Sequence, residues 1–288
     1  MVVLGIVAAV GASALYNTSI ALQALEAREV PREHSLRPSL IGRLGRNRRW
    51  LGATALGLLG WPLEIAALLL APLTVVQPCI AVGLILLLWL GATRLGERPG
   101  RREAIAVAAI IVGVAGVAWA SPQRTTDHAG AGAIALALLL IAIPVAAPYL
   151  AGLGERLGTL VVLSAGCGYA WTAIATKLLS DSLAAGSLLA VVGWLATAGA
   201  SEGVGMLSEM SALQRRHATH VAPPMFALQV LVPVALAPLL FGESWGPTPL
   251  GGAALIGFMA IATAGTILLA GSRSVGAVLD TAAEGGSG

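Results

Sequence analysis

Residues 130–150 read Gly-Ala-Gly-Ala-Ile-Ala-Leu-Ala-Leu-Leu-Leu-Ile-Ala-Ile-Pro-Val-Ala-Ala-Pro-Tyr-Leu, twenty-one positions without a charged side chain. At 1.5 Å per residue an α-helix of that length crosses roughly 30 Å of hydrocarbon. Working outward from this stretch, comparable runs recur at residues 2–25, 51–70, 72–93, 104–121, 157–179, 184–207, 221–241 and 249–270. The sequence therefore predicts an all-α polytopic membrane protein of about nine transmembrane helices. A transmembrane barrel would alternate polar and apolar residues in segments of about ten, and no stretch does so.

Composition agrees. Of 288 residues 57% are hydrophobic and 11% charged, with mean hydropathy +0.86, whereas a soluble domain carries charge on about a quarter of its residues. Cys79 and Cys167 lie far apart inside apolar runs, so they read as small core residues and not as a secreted disulfide framework. Ala12-Ser13-Ala14 resembles a signal-peptidase site, but no basic segment precedes it and the apolar run continues to Leu25, so the first helix reads as a retained span. Pro72 suits the first position of the third span, where its missing N–H costs nothing. Residues 272–288, rich in Gly, Ser and Ala, read as a disordered cytoplasmic tail.

Net charge is +3 and the arginines cluster in a few loops, a pattern of membrane orientation and not of nucleic-acid binding. Nine spans sort the loops into two sets, and fifteen of the seventeen basic residues fall in one set. Seven of them lie between residues 26 and 50, and the other set holds only Arg124 and Lys177. The positive-inside rule then places the N-terminus outside and the C-terminus in the cytoplasm, for a multi-pass protein of the plasma (inner) membrane. The loop 26–50 reads as a solvated topology anchor, with a grip on anionic lipid as the alternative. Lys177 falls near the outer interface, where snorkelling accounts for it.

An internal repeat is visible. Pro78, next to Gln77, precedes Gly96-Glu97 by eighteen residues, and Pro224, next to Pro223, precedes Gly242-Glu243 by eighteen. A Gly/Ala-rich helix follows each, with Gly113 and Gly116 in one and Gly257 and Gly265 in the other. The predicted topology puts Glu97 inside and Glu243 outside. The two copies are therefore expected to be inverted, as residues 1–122 with four spans and residues 129–271 with five.

At these residues the chain resembles the drug/metabolite transporter (EamA-like) superfamily, whose repeats carry a Pro-containing helix, a Gly-Glu or Asn-Glu turn and a Gly-rich helix. Leu95-Gly96-Glu97-Arg98 and Phe241-Gly242-Glu243 look like those turns. Gly60-Trp61-Pro62-Leu63-Glu64 and onward to Ala71-Pro72 is similar in spacing to a run in the NIPA-type magnesium transporters, which also cross nine times with a reduced first half. Gly166-Cys167 through Lys177 looks like the sixth helix of that branch. Trp61 stands where the branch carries an acid, and Glu64 stands at its Asn position, on nearly the same helix face. The polar residues around Tyr16, Asn17, Thr18 and Ser19 replace its lysines.

Ionisable groups in hydrocarbon cost several kcal/mol unless paired, hydrated or protonated. Glu64 is the clearest case, and Pro62 beside it frees a carbonyl one turn earlier. It reads as a cation or proton site or the partner of a substrate amine, against a structural acid. Glu202 carries the same two readings; it sits among Gly199, Gly203 and Gly205, where a neighbouring backbone can come close. Two such carboxylates on one cavity would suit a divalent cation or proton coupling. Tyr16, Asn17, Ser19, Gln77, Thr172 and Gln229 are candidates for either cross-helix bonding or pore lining. Pro62, Pro78, Pro224 and Pro233 are candidate helix breaks or hinges.

No catalytic set or cofactor motif emerges: there is no His-Glu-x-x-His, Cys-x-x-Cys, phosphate-binding loop or nucleophile elbow. His34, His128, His217 and His220 lie in loops or at helix ends, and Asp127-His128 lacks the further ligands of a metal site. The absence of a nucleotide motif favours a secondary carrier or channel over a pump. The sequence thus leads to a secondary transporter working by alternating access on a small solute. A divalent cation such as magnesium is what the branch resemblance implies, and a small organic metabolite or drug is what the superfamily implies. A lipid-handling or interaction protein without turnover is the alternative from another class. The bilayer and the solute are the expected partners, with a second copy of the chain as a further candidate.

Overall fold

Several helices of this chain end at polar residues beyond the reach of hydropathy. The computed structural model describes residues 1–29, 37–83, 85–86, 89, 100–151, 157–213 and 218–270. Among these there is no strand. The helices are α1 (Val2–Glu29), α2 (Pro38–Leu44), α3 (Arg48–Leu70), α4 (Leu73–Ala81), α5 (Arg101–Trp119), α6 (Ala131–Leu150), α7 (Leu157–Ala184), α8 (Leu188–Leu213), α9 (Ala218–Phe241) and α10 (Ala253–Ala270). A 3-10 turn at Pro249–Gly252 leads into α10. Eight segments are long and apolar enough to cross a membrane, so the chain is an all-α, multi-pass membrane protein. Of the expected span 72–93, α4 is described. Residues 84, 87, 88 and 90–99, with the Gly96-Glu97 turn, lie outside the described residues, as do His34, His217 and the tail 272–288.

Where boundaries differ from expectation, a polar group is the cause. α3 starts at Arg48 because Asn47 caps it, its side chain accepting from the Arg49 N–H at 2.8 Å. Pro72 occupies the N-cap position of α4 and not its first helical position. α7 runs on to Ala184 and α8 to Leu213, past the residues 179 and 207 where their apolar runs stop. The side chains that end those runs, Ser180-Asp181 and Ser208-Glu209, are buried inside the bundle.

Two expectations are corrected. Segment 26–50 is not simply a solvated loop: α1 continues to Glu29, Asn47 Nδ2 donates to Glu26, and α2 buries Leu40 and Leu44 beside Trp50 in a core shared with Met210, Leu213 and Met225. The seven-residue helix is amphipathic, with Arg43 exposed and the leucines inward, which hydropathy averaged over the arginines conceals. The prolines are not breaks, because α3 is continuous through Pro62, α4 through Pro78 and α9 through Pro224 and Pro233. A membrane helix tolerates the single lost hydrogen bond when neighbours support the turn. The freed carbonyls belong to Leu58, Thr74, His220 and Gln229.

Small residues set the packing. α1 and α3 run antiparallel, Gly60 lying against Tyr16 and Ala12, and Gly57 against Ser19. α7 and α8 do the same with Gly168 against Gly205. α5 and α10 form the third pair: Gly113 meets Ala262, Gly116 meets the Phe258 ring, and Gly265 meets the Ala106 carbonyl, an order that also makes them antiparallel. α4 and α9 pack on each other and join the pairs, α4 against α1 and α5, α9 against α7 and α10, while α6 flanks α7.

Gly242 and Glu243 fix one of these junctions. Gly242 adopts φ 60° after the end of α9, a conformation that glycine takes without strain. The turn delivers the fully buried Glu243 to the start of α4, where Oε1 accepts from Leu73 N–H at 2.8 Å. Oε2 accepts from Thr74 N–H at 3.0 Å and from the Thr74 hydroxyl at 2.5 Å. A carboxylate at a helix N-terminus satisfies orphan donors and complements the dipole. Glu243→Gln turns one acceptor into a donor facing Thr74. We expect a loss of about 1–3 kcal/mol, read as a lower unfolding midpoint in detergent; an unchanged midpoint would show that the cap carries no weight.

Candidate functional site

A cavity of about 260 Å³ lies where the α1/α3 and α7/α8 pairs meet α4 and α9. The tight glycine contacts bring polar residues of α1 and α3 to one wall of it. From α1 come Tyr16, Asn17, Ser19 and Gln23, from α3 Thr54, Trp61 and Glu64, from α7 Tyr169 and Thr172, from α8 Glu202, and from α9 Phe226 and Gln229. Five of the six residues singled out for binding therefore face one space: Glu64, Glu202, Tyr16, Asn17 and Gln229. The sixth, Gln77, stands behind the wall, buried, with its side chain reaching the Glu64 carboxylate.

Each acid is answered by a hydroxyl from another helix. Tyr16 OH donates to Glu64 Oε2 at 2.7 Å. Thr172, bonded to Ser201 at 2.9 Å, reaches Glu202. None of the cavity acids has an ion pair among the described residues. Two carboxylates on one low-dielectric space need positive charge to accompany them, as a bound cation or as protons. Asn17 Oδ1 and Gln77 Oε1 are acceptors without a donor among the described residues.

A third acid was not singled out from the sequence. Glu209, two turns beyond Glu202 on α8, is 2% exposed and accepts from the Tyr169 hydroxyl. Tyr169 lines the cavity and Glu209 does not, so the tyrosine stands between them. Glu209 follows the end of the apolar run at residue 207, where hydropathy does not separate a buried side chain from an interfacial one. Only its packing against α7 marks it as internal.

The candidate hinges stand apart from the acids. Pro62 is on the exposed face of α3, Pro224 is exposed, and Pro78 and Pro233 are packed in the bundle. Two of the carbonyls they free, at Leu58 and Gln229, belong to cavity-lining residues.

α3 and α7 are joined beside Glu64, and beyond it the bundle is closed by charge. Trp61 Nε1 donates to Thr176 Oγ1 at 3.1 Å, joining α3 to α7. The next residue of α7, Lys177, is fully buried, with Nζ at 2.9 and 2.7 Å from the two Asp181 oxygens, 3.1 Å from the Thr125 carbonyl and 5.7 Å from the centre of the Phe241 ring. It does not snorkel, because α9 and the connection 120–130 cover it and Asp181 supplies its counter-charge. Arg124 completes the cluster, with Nη2 at 2.6 Å from Asp181 and Nε donating to the Leu68 carbonyl at 2.7 Å. Asp127 is exposed, His128 Nδ1 lies 3.9 Å from Asp181 Oδ2, and no group of three or more His, Cys, Asp or Glu able to hold a metal occurs among the described residues.

Removing Asp181 would leave the buried ammonium uncompensated. Asp181→Asn should cost about 3–5 kcal/mol, seen as lost monodisperse protein or a sharply lower midpoint. Asp181→Leu combined with Lys177→Leu should recover part of it, since Arg124 is partly exposed; two losses that simply add would mean the pair is not coupled.

Comparison of the chain with family models, with curated proteins and with solved structures found no match.

Proposed function

We propose that this protein is a secondary carrier for a small organic cation, exchanged for protons by alternating access. The observation that carries this reading is that Glu64 and Glu202, from two different helix pairs, face one cavity walled by Tyr16, Trp61, Tyr169 and Phe226. Aromatic faces attract organic cations, and a desolvated carboxylate supplies the charge. Magnesium demands near-octahedral oxygen coordination and keeps several waters, which suits this apolar, aromatic wall less well than an ammonium group. The resemblance to the magnesium-transporting branch therefore favours the fold more than that substrate.

The inverted-repeat architecture belongs to the same proposal. Pro78 with Pro224, and Glu97 with Glu243, are each separated by 146 positions. Applying that shift to the Gly113–Ala262 contact gives Gly116–Met259, one residue from the Gly116–Phe258 contact present. Each half also holds a tyrosine donating to a glutamate across an antiparallel pair, Tyr16 to Glu64 and Tyr169 to Glu209. Halves of similar build around a central site can exchange conformations and so turn it from one side to the other. The positive-inside orientation, with the arginine-rich end in the cytoplasm, completes the reading.

The test is flux in proteoliposomes. Tetramethylammonium cannot cross as a neutral base, so its uptake against an outward proton gradient isolates the carrier. Uptake should fall at least about tenfold in Glu64→Gln and in Glu202→Gln, a loss of about 1.4 kcal/mol or more. Magnesium flux without tetramethylammonium flux would replace the organic cation by the metal, and flux of neither would sink the carrier reading in favour of a lipid-handling or interaction protein.

A further inference from the structure

The acids are not sealed from the bilayer. Leu58 lines the cavity and is also 58% exposed. Gly199 and Gly203 of α8 line it from the other side and are exposed as well. These residues belong to the outer stripes of their helices: Leu51, Leu58, Leu59 and Leu63 on α3, and Leu188, Val192 and Leu195 on α8, are all exposed. Such stripes face lipid.

The rim residues also share a depth near mid-membrane. Leu58 is the eleventh residue of α3, and Gly199 and Gly203 are the twelfth and sixteenth of α8. Trp61 is level with Thr176 and Thr172 with Ser201, so Leu58 falls level with the stretch between the two glycines. A Cβ added at Gly199 or Gly203 would meet no atom within 4 Å among the described residues, so none of them covers that side of the slot. α3 and α8 make no extended contact. Among the described residues they are held in register chiefly through each other's partners, α3 by α7 and α8 by α1.

We propose that this slot is a lateral portal, and that the ligand is a cationic amphiphile: a single ammonium head that enters from the bilayer to sit at Glu64 and Glu202, with its alkyl tail left in lipid between α3 and α8. The inference rests on the carrier reading above and names its substrate class. A water-soluble ion gains nothing from an opening at this depth, whereas an amphiphile keeps its tail in hydrocarbon throughout. A cavity of about 260 Å³ holds a head group and a short chain, so a long tail has to pass through the slot.

The experiment is competition by butyl-, octyl- and dodecyltrimethylammonium against tetramethylammonium uptake by the full-length protein in liposomes. Apparent affinity should rise by about fourfold per methylene, from about 0.8 kcal/mol for each CH₂, and continue through dodecyl. A plateau or fall beyond butyl would mean a closed pocket and would overturn the portal. Gly199→Leu combined with Gly203→Leu fills open space at the rim without adding charge. It should weaken dodecyl binding at least about tenfold more than it slows tetramethylammonium flux. Leu58→Trp narrows the slot from the opposite rim and should do the same, so the failure of one variant to fold leaves the other to decide. Equal loss for both cations, or for neither, contradicts the portal. No tetramethylammonium flux in wild type would instead remove the carrier reading itself.

Discussion

Charge and backbone polarity placed in hydrocarbon have to be satisfied within the protein, because no water competes for them there. Four junctions of this bundle are built on that constraint. Glu243 spends both oxygens on the start of α4, binding the end of α9 to a helix that begins 170 residues earlier. Asp181 holds Lys177 of its own helix and Arg124 of the connection, and Arg124 in turn holds the Leu68 carbonyl at the end of α3. Glu64 and Glu209 each take a tyrosine hydroxyl from the adjacent helix of their pair. The acids at the first two junctions are committed to cations or helix donors. Those in and beside the cavity are answered by neutral groups, which is what separates a site from a structural joint.

That separation depends on how closely the helices approach. With Gly60 against Tyr16 and Gly168 against Gly205, each antiparallel pair is tight enough to bring a tyrosine on one helix to an acid on the other. Lipid tails are as apolar as the side chains they surround, so close van der Waals contact and interhelical hydrogen bonds hold such pairs together. The contact between the two pairs is looser, and the cavity occupies the space this leaves.

The long apolar runs were legible because a 30 Å hydrocarbon layer imposes its length on any sequence that crosses it. Glu64 and Glu202 were legible for the same reason, as acids standing inside such runs. Asp181 and Glu209 were not, since hydropathy ends a span at the first polar cluster whether that cluster faces water or the core. The Gly242-Glu243 turn could be recognised as a turn. Its role as a cap could not, because the partner helix is remote in sequence and no local pattern encodes the contact. Leu40, Leu44 and Trp50 were hidden by the arginines among them. The pairing of Tyr16 with Glu64 joins residues 48 positions apart and needs the helix register, which composition does not contain.

The two ends of the cavity are unlike. Toward the end of α3 the ion cluster at Asp181 closes the space, whereas toward the start of α3 the wall continues with Ser19, Gln23 and Thr54, Gln23 donating to Ser19 at 3.0 Å and to Thr54 at 3.2 Å. Among the described residues a polar track thus leads from Glu64 to the arginine-rich end, while the ion cluster blocks the other end. In the proposed carrier, opening the closed end would require α3 to part from α7, breaking the Trp61–Thr176 bond and the Arg124 bridge together, since both tie the same two helices. The α1–α3 pair is too tightly packed at its glycines to shear, so α1 would move with α3. The proposed carrier would then work by a rocking of one tight pair against the other, the contact of α1 with α8 closing as that of α3 with α7 opens.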